Sequence, residues 1–99
     1  MTRGDSGLPL RVELYGVARS RAGCDAAIVY LRAGATLGDA LAALAAELPA
    51  LVGPVLTADR RGLAPGSVAS FDGKGFTRDP AERVPRGKPL LLLPASSGG

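Results

Sequence analysis

The sequence predicts a small α+β domain in which one main helix packs on a mixed β-sheet, with the elements in the order ββαββ. Three patterns predict it: alternation over Leu10–Tyr15, leucines at helical spacing after Thr36, and an unbroken apolar run at Leu90–Leu93. The chain has 99 residues, of which 46% are hydrophobic and 21% are charged. This composition supports one hydrophobic core and excludes a multidomain enzyme.

The first two strands are predicted to form a hairpin. Apolar residues alternate with charged ones over Leu10–Tyr15, which is the period-two pattern of a half-buried strand. Ala27–Leu31 is β-branched and aromatic, which indicates a second strand. The intervening Arg19–Asp25 is polar and contains glycine, so we interpret it as a link. A short link favours antiparallel pairing.

The main helix is predicted to begin after Thr36. Thr36 can serve as the N-cap, and Asp39 stands where the acid of a capping box reaches back. Pro49 ends the segment after about 12 residues. Four leucines lie on one face of this helix: Leu37, Leu41, Leu44 and Leu48.

A long connector and a second strand pair are predicted next. Leu51–Gly66 is rich in glycine and proline, with one helical turn expected near Leu51–Leu56. Ser67–Phe71 has the composition of a strand. Asp72-Gly73 indicates a type I′ hairpin turn that leads into a short partner strand at Gly75–Thr77.

The last strand is predicted to be central in the sheet. Leu90–Leu93 consists of four leucines, it precedes Pro94, and it follows a loop over Asp79–Pro89. A short continuous apolar run is typical of a strand buried on both faces. If this strand lies beside the first one, the helix crosses one face of the sheet, and the arrangement is a β-grasp.

The composition also excludes several classes of function. The chain has no histidine and one cysteine, Cys24, which excludes a Ser-His-Asp hydrolase, a histidine-bound zinc site, an internal disulfide and an iron–sulfur cluster. We therefore expect no catalytic residue, no bound metal and a reducing, cytoplasmic setting. No apolar stretch is long enough for a membrane span or a signal-peptide core.

The net charge of +3 does not indicate nucleic-acid binding, because the basic residues are scattered among acidic ones. Arg60-Arg61, Arg83 and Arg86 fit a solvated loop better than a docking site for an acidic partner. Phe71 and Phe76 are assigned either to the core or to an exposed contact patch. Cys24 is interpreted as a bystander in the turn before the second strand, rather than as a relay thiol.

The C-terminal residues are small and lack side chains that could pack. We predict a folded domain over residues 1–94 and a flexible tail over 95–99, whose carboxylate reaches up to about 17 Å from the last strand. Glycine lacks a Cβ, so Gly98 and Gly99 could enter a narrow channel. Such an ending alone is also compatible with a frayed terminus. It gains weight because it follows a predicted central strand of a β-grasp.

Three segments resemble the MoaD/ThiS sulfur carriers, which are ubiquitin-like proteins. They are Val12–Gly23, Ala35–Leu41 and Leu90–Gly99, and the last, with its proline and terminal diglycine, is the most specific. In length the chain is closest to the small subunit of molybdopterin synthase. It departs from the family pattern at Gly87-Lys88-Pro89, where an acidic pair is usual, and at Ala95, where a second proline is usual.

The resemblance implies that the protein is not an enzyme and that it carries sulfur on its C-terminus. A ubiquitin-activating-type enzyme would adenylate Gly99 with its own ATP and magnesium. A sulfur donor such as a cysteine desulfurase or a rhodanese would then supply the sulfur of a thiocarboxylate. Ser96, Ser97 and Gly98 would insert into a partner such as the large subunit of molybdopterin synthase. The pathway would be molybdenum cofactor biosynthesis or a related sulfur-inserting pathway.

Two alternatives remain open at this point. The activated Gly99 could be joined to lysines of target proteins, which would make the chain a ubiquitin-like modifier. The chain could also be a non-catalytic β-grasp interaction domain whose tail is incidental.

Overall fold

The structure is a computed structural model that describes residues 7–95. Two helices and four strands occur in these residues, together with one 3-10 turn. In chain order they are β1 (Leu8–Leu14), α1 (Val17–Ala22), β2 (Ala26–Leu31), α2 (Leu37–Glu47), the 3-10 turn (Pro49–Leu51), β3 (Ser67–Ser70) and β4 (Leu90–Pro94). None of these helices is long and apolar enough to cross a membrane.

The strands form one mixed sheet in the order β2-β1-β4-β3. β1 pairs antiparallel with β2 and parallel with β4, and β4 pairs antiparallel with β3. The last strand therefore lies inside the sheet beside the first one, as predicted, and the ββαββ architecture is confirmed.

The core lies between the sheet and α2. Leu37, Leu41 and Leu44 of α2 are fully buried, and Leu48 is half-buried at the end of the same face. They meet the inward residues of the sheet, which are Leu10, Val12, Leu14, Val29, Leu31, Ala69, Leu90 and Leu92. Each fully buried leucine stabilises the fold by about 1.5–3 kcal/mol relative to an exposed one.

The expectation that β4 is buried on both faces is wrong. Leu90 and Leu92 are fully buried against the helix, whereas Leu91 and Leu93 are only half-buried on the other face. This outer face lies opposite α2, and it is covered in part, since Ser70, which pairs with Leu91, is fully buried. An unbroken run of leucines thus predicted the central position of the strand, but not how many layers enclose it.

The first part of the link predicted over Arg19–Asp25 is helical instead, because α1 spans Val17–Ala22. Gly16 precedes this helix, and Gly23 ends it with a φ of 75° in the left-handed region that glycine adopts most readily. Ala18 is buried, and α1 contacts β4 and the 3-10 turn. The helix was missed because six residues are too few to show a helical apolar period.

The type I′ turn predicted at Asp72-Gly73 is wrong. Such a turn needs a positive φ at both residues, and only Gly73 has one. The Asp72 carboxylate instead accepts a hydrogen bond from the backbone N–H of Gly75 at 2.9 Å, which makes a wider loop. The predicted partner strand is reduced to a single bridge between Thr77 and Ala69.

The connector over Leu51–Gly66 has little regular structure, as predicted. Its helical turn lies at Pro49–Leu51, earlier than the expected Leu51–Leu56. Val55 and Leu56 are fully buried, so the connector adds to the core.

The capping box of α2 is confirmed. The Thr36 Oγ1 accepts from the backbone N–H of Asp39 at 3.3 Å, and the Asp39 carboxylate accepts from the backbone N–H of Thr36 at 2.9 Å. Asp39 also accepts a 2.8 Å hydrogen bond from the guanidinium of Arg61. This bond and that from Thr36 lower the pKa of Asp39 from 3.8 to about 2.

We expect Asp39→Asn to reduce the free energy of unfolding by about 1 kcal/mol or less at pH 6, because the ion pair with Arg61 is exposed to water. The pKa of Asp39 is depressed in the folded state, so its stabilisation is present above pH 3.8 and is lost as the pH falls toward about 2. Urea unfolding at several pH values should show the gap between wild type and variant closing over that range.

The matched control is Asp25→Asn, because the Asp25 side chain makes no ion pair or hydrogen bond within residues 7–95. Its difference from wild type should vary less with pH. A constant gap for Asp39→Asn down to pH 2 would contradict the role of the carboxylate.

Candidate functional site at the base of the C-terminal tail

The sheet holds β4 on both sides up to the point where the tail begins. On the β1 side, the backbone N–H of Tyr15 donates to the carbonyl oxygen of Leu92 at 3.1 Å. On the β3 side, Pro94 pairs with Ser67, and the N–H of Ala95 donates to the carbonyl oxygen of Gly66 at 2.8 Å. The chain is therefore fixed through Ala95.

Gly16 lies against Pro94, at the corner between β1 and α1. Its φ of 61° and ψ of −130° are values that residues with a side chain rarely adopt. A Cβ on Gly16 would lie 2.8 Å from the Cγ of Pro94, closer than van der Waals contact allows. We use the name tail base for Gly16, Gly66, Ser67, Pro94 and Ala95.

Arg78 stabilises the loop that contains Gly66, the residue to which Ala95 is hydrogen-bonded. Its guanidinium donates to the carbonyl oxygens of Leu63, at 2.9 Å, and of Ser67. These carbonyls flank Gly66, so Arg78 supports the acceptor of the Ala95 hydrogen bond. No local sequence pattern could have found this contact, because the partners are 11 and 15 residues apart along the chain.

The predicted functional residues Ser96, Ser97, Gly98 and Gly99 lie outside the described residues. The division of the chain into residues 1–94 and 95–99 therefore stays a prediction. The structure does give the position of Ala95, the residue that precedes them.

The outer face of the sheet carries apolar side chains, of which those of β3 and β4 lie next to the tail base. We define this outer face by Ile28, Tyr30, Val68, Leu91 and Leu93. Ile28 and Tyr30 are 43% and 64% exposed, and the other three are half-buried.

A short polar network crosses the middle of the outer face along β1, between the apolar residues of β2 and those of β4. Glu13 accepts hydrogen bonds from the hydroxyl of Tyr15 at 2.8 Å and from the Nε of Arg11 at 3.1 Å. The Tyr15 hydroxyl and then Arg11 lower the pKa of Glu13, and the same carboxylate raises the pKa of Tyr15. Glu13 is thus ionised at neutral pH, and Arg11 balances its charge.

Solved structures show the same architecture. The crystal structure of small archaeal modifier protein 1 from Haloferax volcanii matches with a TM-score of 0.76 and 29% identity, over 93% of this chain and 100% of that chain. A second crystal structure of that protein matches with a TM-score of 0.75 and 28% identity, over 91% and 100%. The fold is a ubiquitin-like β-grasp.

A further match extends the fold to another organism. The solution structure of small archaeal modifier protein 1 from Methanosarcina acetivorans matches this β-grasp with a TM-score of 0.62 and 20% identity, over 94% of this chain and 98% of that chain. No family model and no curated protein matches the chain. Membership of the MoaD/ThiS family therefore stays a prediction.

The other candidate residues take different positions on the β-grasp. Phe71 packs partly buried against the core, whereas Phe76 is 60% exposed, so only Phe76 is available for a contact patch. Arg61 is engaged by Asp39, and Arg86 lines a groove described below.

Cys24 is half-buried against the core, after the end of α1. It lines a shallow depression together with Arg19, Ser20, Gly23 and Asp25. Within residues 7–95, no group of three or more histidine, cysteine, aspartate or glutamate side chains could hold a metal ion.

Proposed function

We propose that the protein is a ubiquitin-like carrier whose Gly99 is activated by a partner enzyme and converted to a thiocarboxylate for sulfur transfer. The observation that carries this proposal is the tail base. The last strand lies inside the sheet and is fixed through Ala95, so Ser96–Gly99 follow from a defined point. The similarity to small archaeal modifier protein 1 supports a ubiquitin-like carrier or modifier.

The proposed chemistry requires no catalytic side chain on this chain. A carboxylate is a poor acyl donor, because substitution would have to expel oxide. Attack of the Gly99 carboxylate on the α-phosphorus of ATP releases pyrophosphate and gives an acyl-adenylate. The terminal sulfur of a persulfide then attacks the acyl carbon and expels AMP. A thiol cleaves the resulting acyl disulfide, which leaves the thiocarboxylate on Gly99.

The proposed partners supply everything else in the reaction. A ubiquitin-activating-type enzyme binds the ATP and magnesium, and a cysteine desulfurase or rhodanese supplies the sulfur. We propose that the outer face docks on the activating enzyme, because its apolar residues include Leu91 and Leu93 of the strand that carries the tail. Docking there directs Ser96–Gly99 toward the bound nucleotide.

The receiving pathway follows from the resemblance noted above. We propose molybdopterin biosynthesis or a related sulfur-inserting pathway, with the large subunit of molybdopterin synthase as the acceptor of the tail. Neither step uses a cofactor bound by this chain.

A second candidate function is protein modification. It is favoured by the similarity to small archaeal modifier protein 1 of Haloferax volcanii. Attack of a lysine amine on the same acyl-adenylate, or on a thioester made from it, forms an isopeptide through Gly99. Carrier and modifier therefore share the activation step and differ in the acceptor.

An intact mass spectrum of the protein co-expressed with its own activating enzyme tests the proposal. Replacing oxygen by sulfur adds about 16 Da, nearly the same as oxidation of methionine or cysteine, so the added mass must be localised by alkylation and fragmentation. A tail-localised thiocarboxylate is the expected result. Heavier lysine-linked species beside an unmodified terminus would favour the modifier, and an unchanged terminus with an active partner would contradict both.

We expect Cys24→Ser to leave the yield of thiocarboxylate unchanged within about twofold, because Cys24 is half-buried and the chain has no histidine to activate its thiol. The same mass measurement checks this prediction, and Ser20→Ala on the exposed side of α1 is the control. Loss of the thiocarboxylate in Cys24→Ser alone would show that the thiol relays sulfur.

A further inference from the structure

A groove lies at the end of the sheet opposite the tail base. β1 begins at Leu8, but its ladder with β4 begins only at Val12, which pairs with Leu90. Leu8–Arg11 therefore have β2 on one side and no strand on the other. The segment Val84–Pro89 passes this gap at a distance and leaves a groove of about 480 Å³.

The unpaired edge of β1 directs two backbone groups into the groove. The N–H of Leu14 donates to the carbonyl oxygen of Asp25, which directly precedes β2. The backbone N–H and C=O groups of the even-numbered residues of β1 therefore face β2. The backbone groups of odd-numbered residues face β4 instead, as the N–H of Tyr15 does when it donates to Leu92. The N–H of Arg11 and the carbonyl of Pro9 consequently face the groove, and no described backbone bond joins them to residues 84–89.

The groove has an apolar floor and a basic rim. Leu10, Leu31 and Ala35 form the floor and are at least nine-tenths buried. Four cationic residues line the groove, and no acidic residue does: Arg11, Arg32, Arg86 and Lys88. Only Arg11 has an ion-pair partner within residues 7–95, namely Glu13. We name this feature the basic groove.

We propose that the basic groove binds an extended peptide segment of a partner protein in which acidic and apolar residues alternate. The segment would add a short strand beside Leu8–Arg11, a length of about 13 Å. Its backbone would accept from the N–H of Arg11 and donate to the carbonyl of Pro9. Because alternate side chains of a strand point to opposite faces, apolar residues would meet the floor while carboxylates reach the rim.

This inference does not depend on the chemistry of Gly99. β1 and β4 run parallel, so the start of β1 and the end of β4 lie at opposite ends of the sheet. A partner bound in the basic groove would leave the tail base and the outer-face residues Leu91 and Leu93 uncovered. The groove would therefore recruit the carrier to an acidic protein while its tail is in use.

Fluorescence anisotropy of the full chain with a labelled octapeptide of alternating aspartate and valine tests the proposal. The double variant Arg86→Glu/Lys88→Glu should weaken binding about tenfold or more, because two attractions become repulsions. The matched control Arg19→Glu/Arg21→Glu makes the same change in net charge on α1 and should change affinity by about twofold or less. Thermal unfolding verifies that both variants are folded.

Amide hydrogen exchange gives the readout that is specific to strand addition. The bound peptide should slow exchange of the Arg11 amide, while that of Leu10, which faces β2, should change little. Binding without protection of Arg11, equal loss in both double variants, or no binding would overturn the proposal. Displacement of the peptide by equimolar inorganic phosphate or ATP would also overturn it, in favour of a site for small anions.

Discussion

Deleting Gly98 and Gly99 is expected to abolish formation of the thiocarboxylate and of lysine conjugates. Removing two residues withdraws the terminal carboxylate by about 7 Å from the position it reaches in the wild type. In an activating enzyme bound to the outer face, the carboxylate would then lie too far from the bound nucleotide to react. Because catalysis depends on placing reacting atoms within about 3.5 Å, such a displacement eliminates the reaction.

The deletion should leave the fold intact, since the described contacts of β4 end at Ala95. We expect the free energy of unfolding to change by about 0.5 kcal/mol or less, measured by urea denaturation. The matched control is Ser96→Ala/Ser97→Ala, which keeps the length of the tail and should keep the modification. Modification of the deletion variant at wild-type yield would exclude Gly99 as the acyl donor.

The position of β4 illustrates what the sequence could predict. Four consecutive leucines before a proline predicted a central strand, and pairing of this strand with the first one followed from packing α2 on a single sheet. Likewise, Thr36 and Asp39 predicted the start of α2, because capping depends on side chains three residues apart. These features are local, or follow from one packing requirement.

The parts that were missed depend on contacts between distant segments. α1 is too short to reveal a period, and it is held in place by packing on β4. Arg78 acts on carbonyls of Leu63 and Ser67, which no spacing rule connects to it. The basic groove exists because β1 extends beyond the start of β4, and this offset is set by the sheet register.

Gly16→Ala is expected to reduce the free energy of unfolding by about 2 to 4 kcal/mol. Part of the loss comes from the backbone, because alanine at a φ of 61° and a ψ of −130° is strained. The rest comes from the new Cβ, which would meet the Cγ of Pro94 at 2.8 Å and must push it away. Urea unfolding of the purified variant measures the sum of the two effects.

Gly23→Ala is the control for a positive φ without a contact, and its ψ of 15° differs from the −130° of Gly16, so the contact itself is isolated by the added change at Pro94. Gly23 also has a positive φ, of 75°, but a Cβ there would meet no atom within 4 Å. Its cost should be about 1 kcal/mol, which is backbone strain alone. Adding Pro94→Ala should recover part of the loss in Gly16→Ala, because alanine has no Cγ, and should recover nothing in Gly23→Ala. Equal costs for both glycines would show that Pro94 does not rest on Gly16.

The same variants test whether the tail base matters for activation. Gly16→Ala moves Pro94, and with it the direction in which Ser96–Gly99 leave the sheet. At a temperature where both variants are folded, the rate of adenylation should therefore fall in Gly16→Ala by about tenfold or more, and only slightly in Gly23→Ala. Because neither glycine lies on the outer face, a shared loss would indicate general destabilisation. A lower adenylation rate in Gly16→Ala alone would show that activation of the terminus requires a fixed position of Pro94.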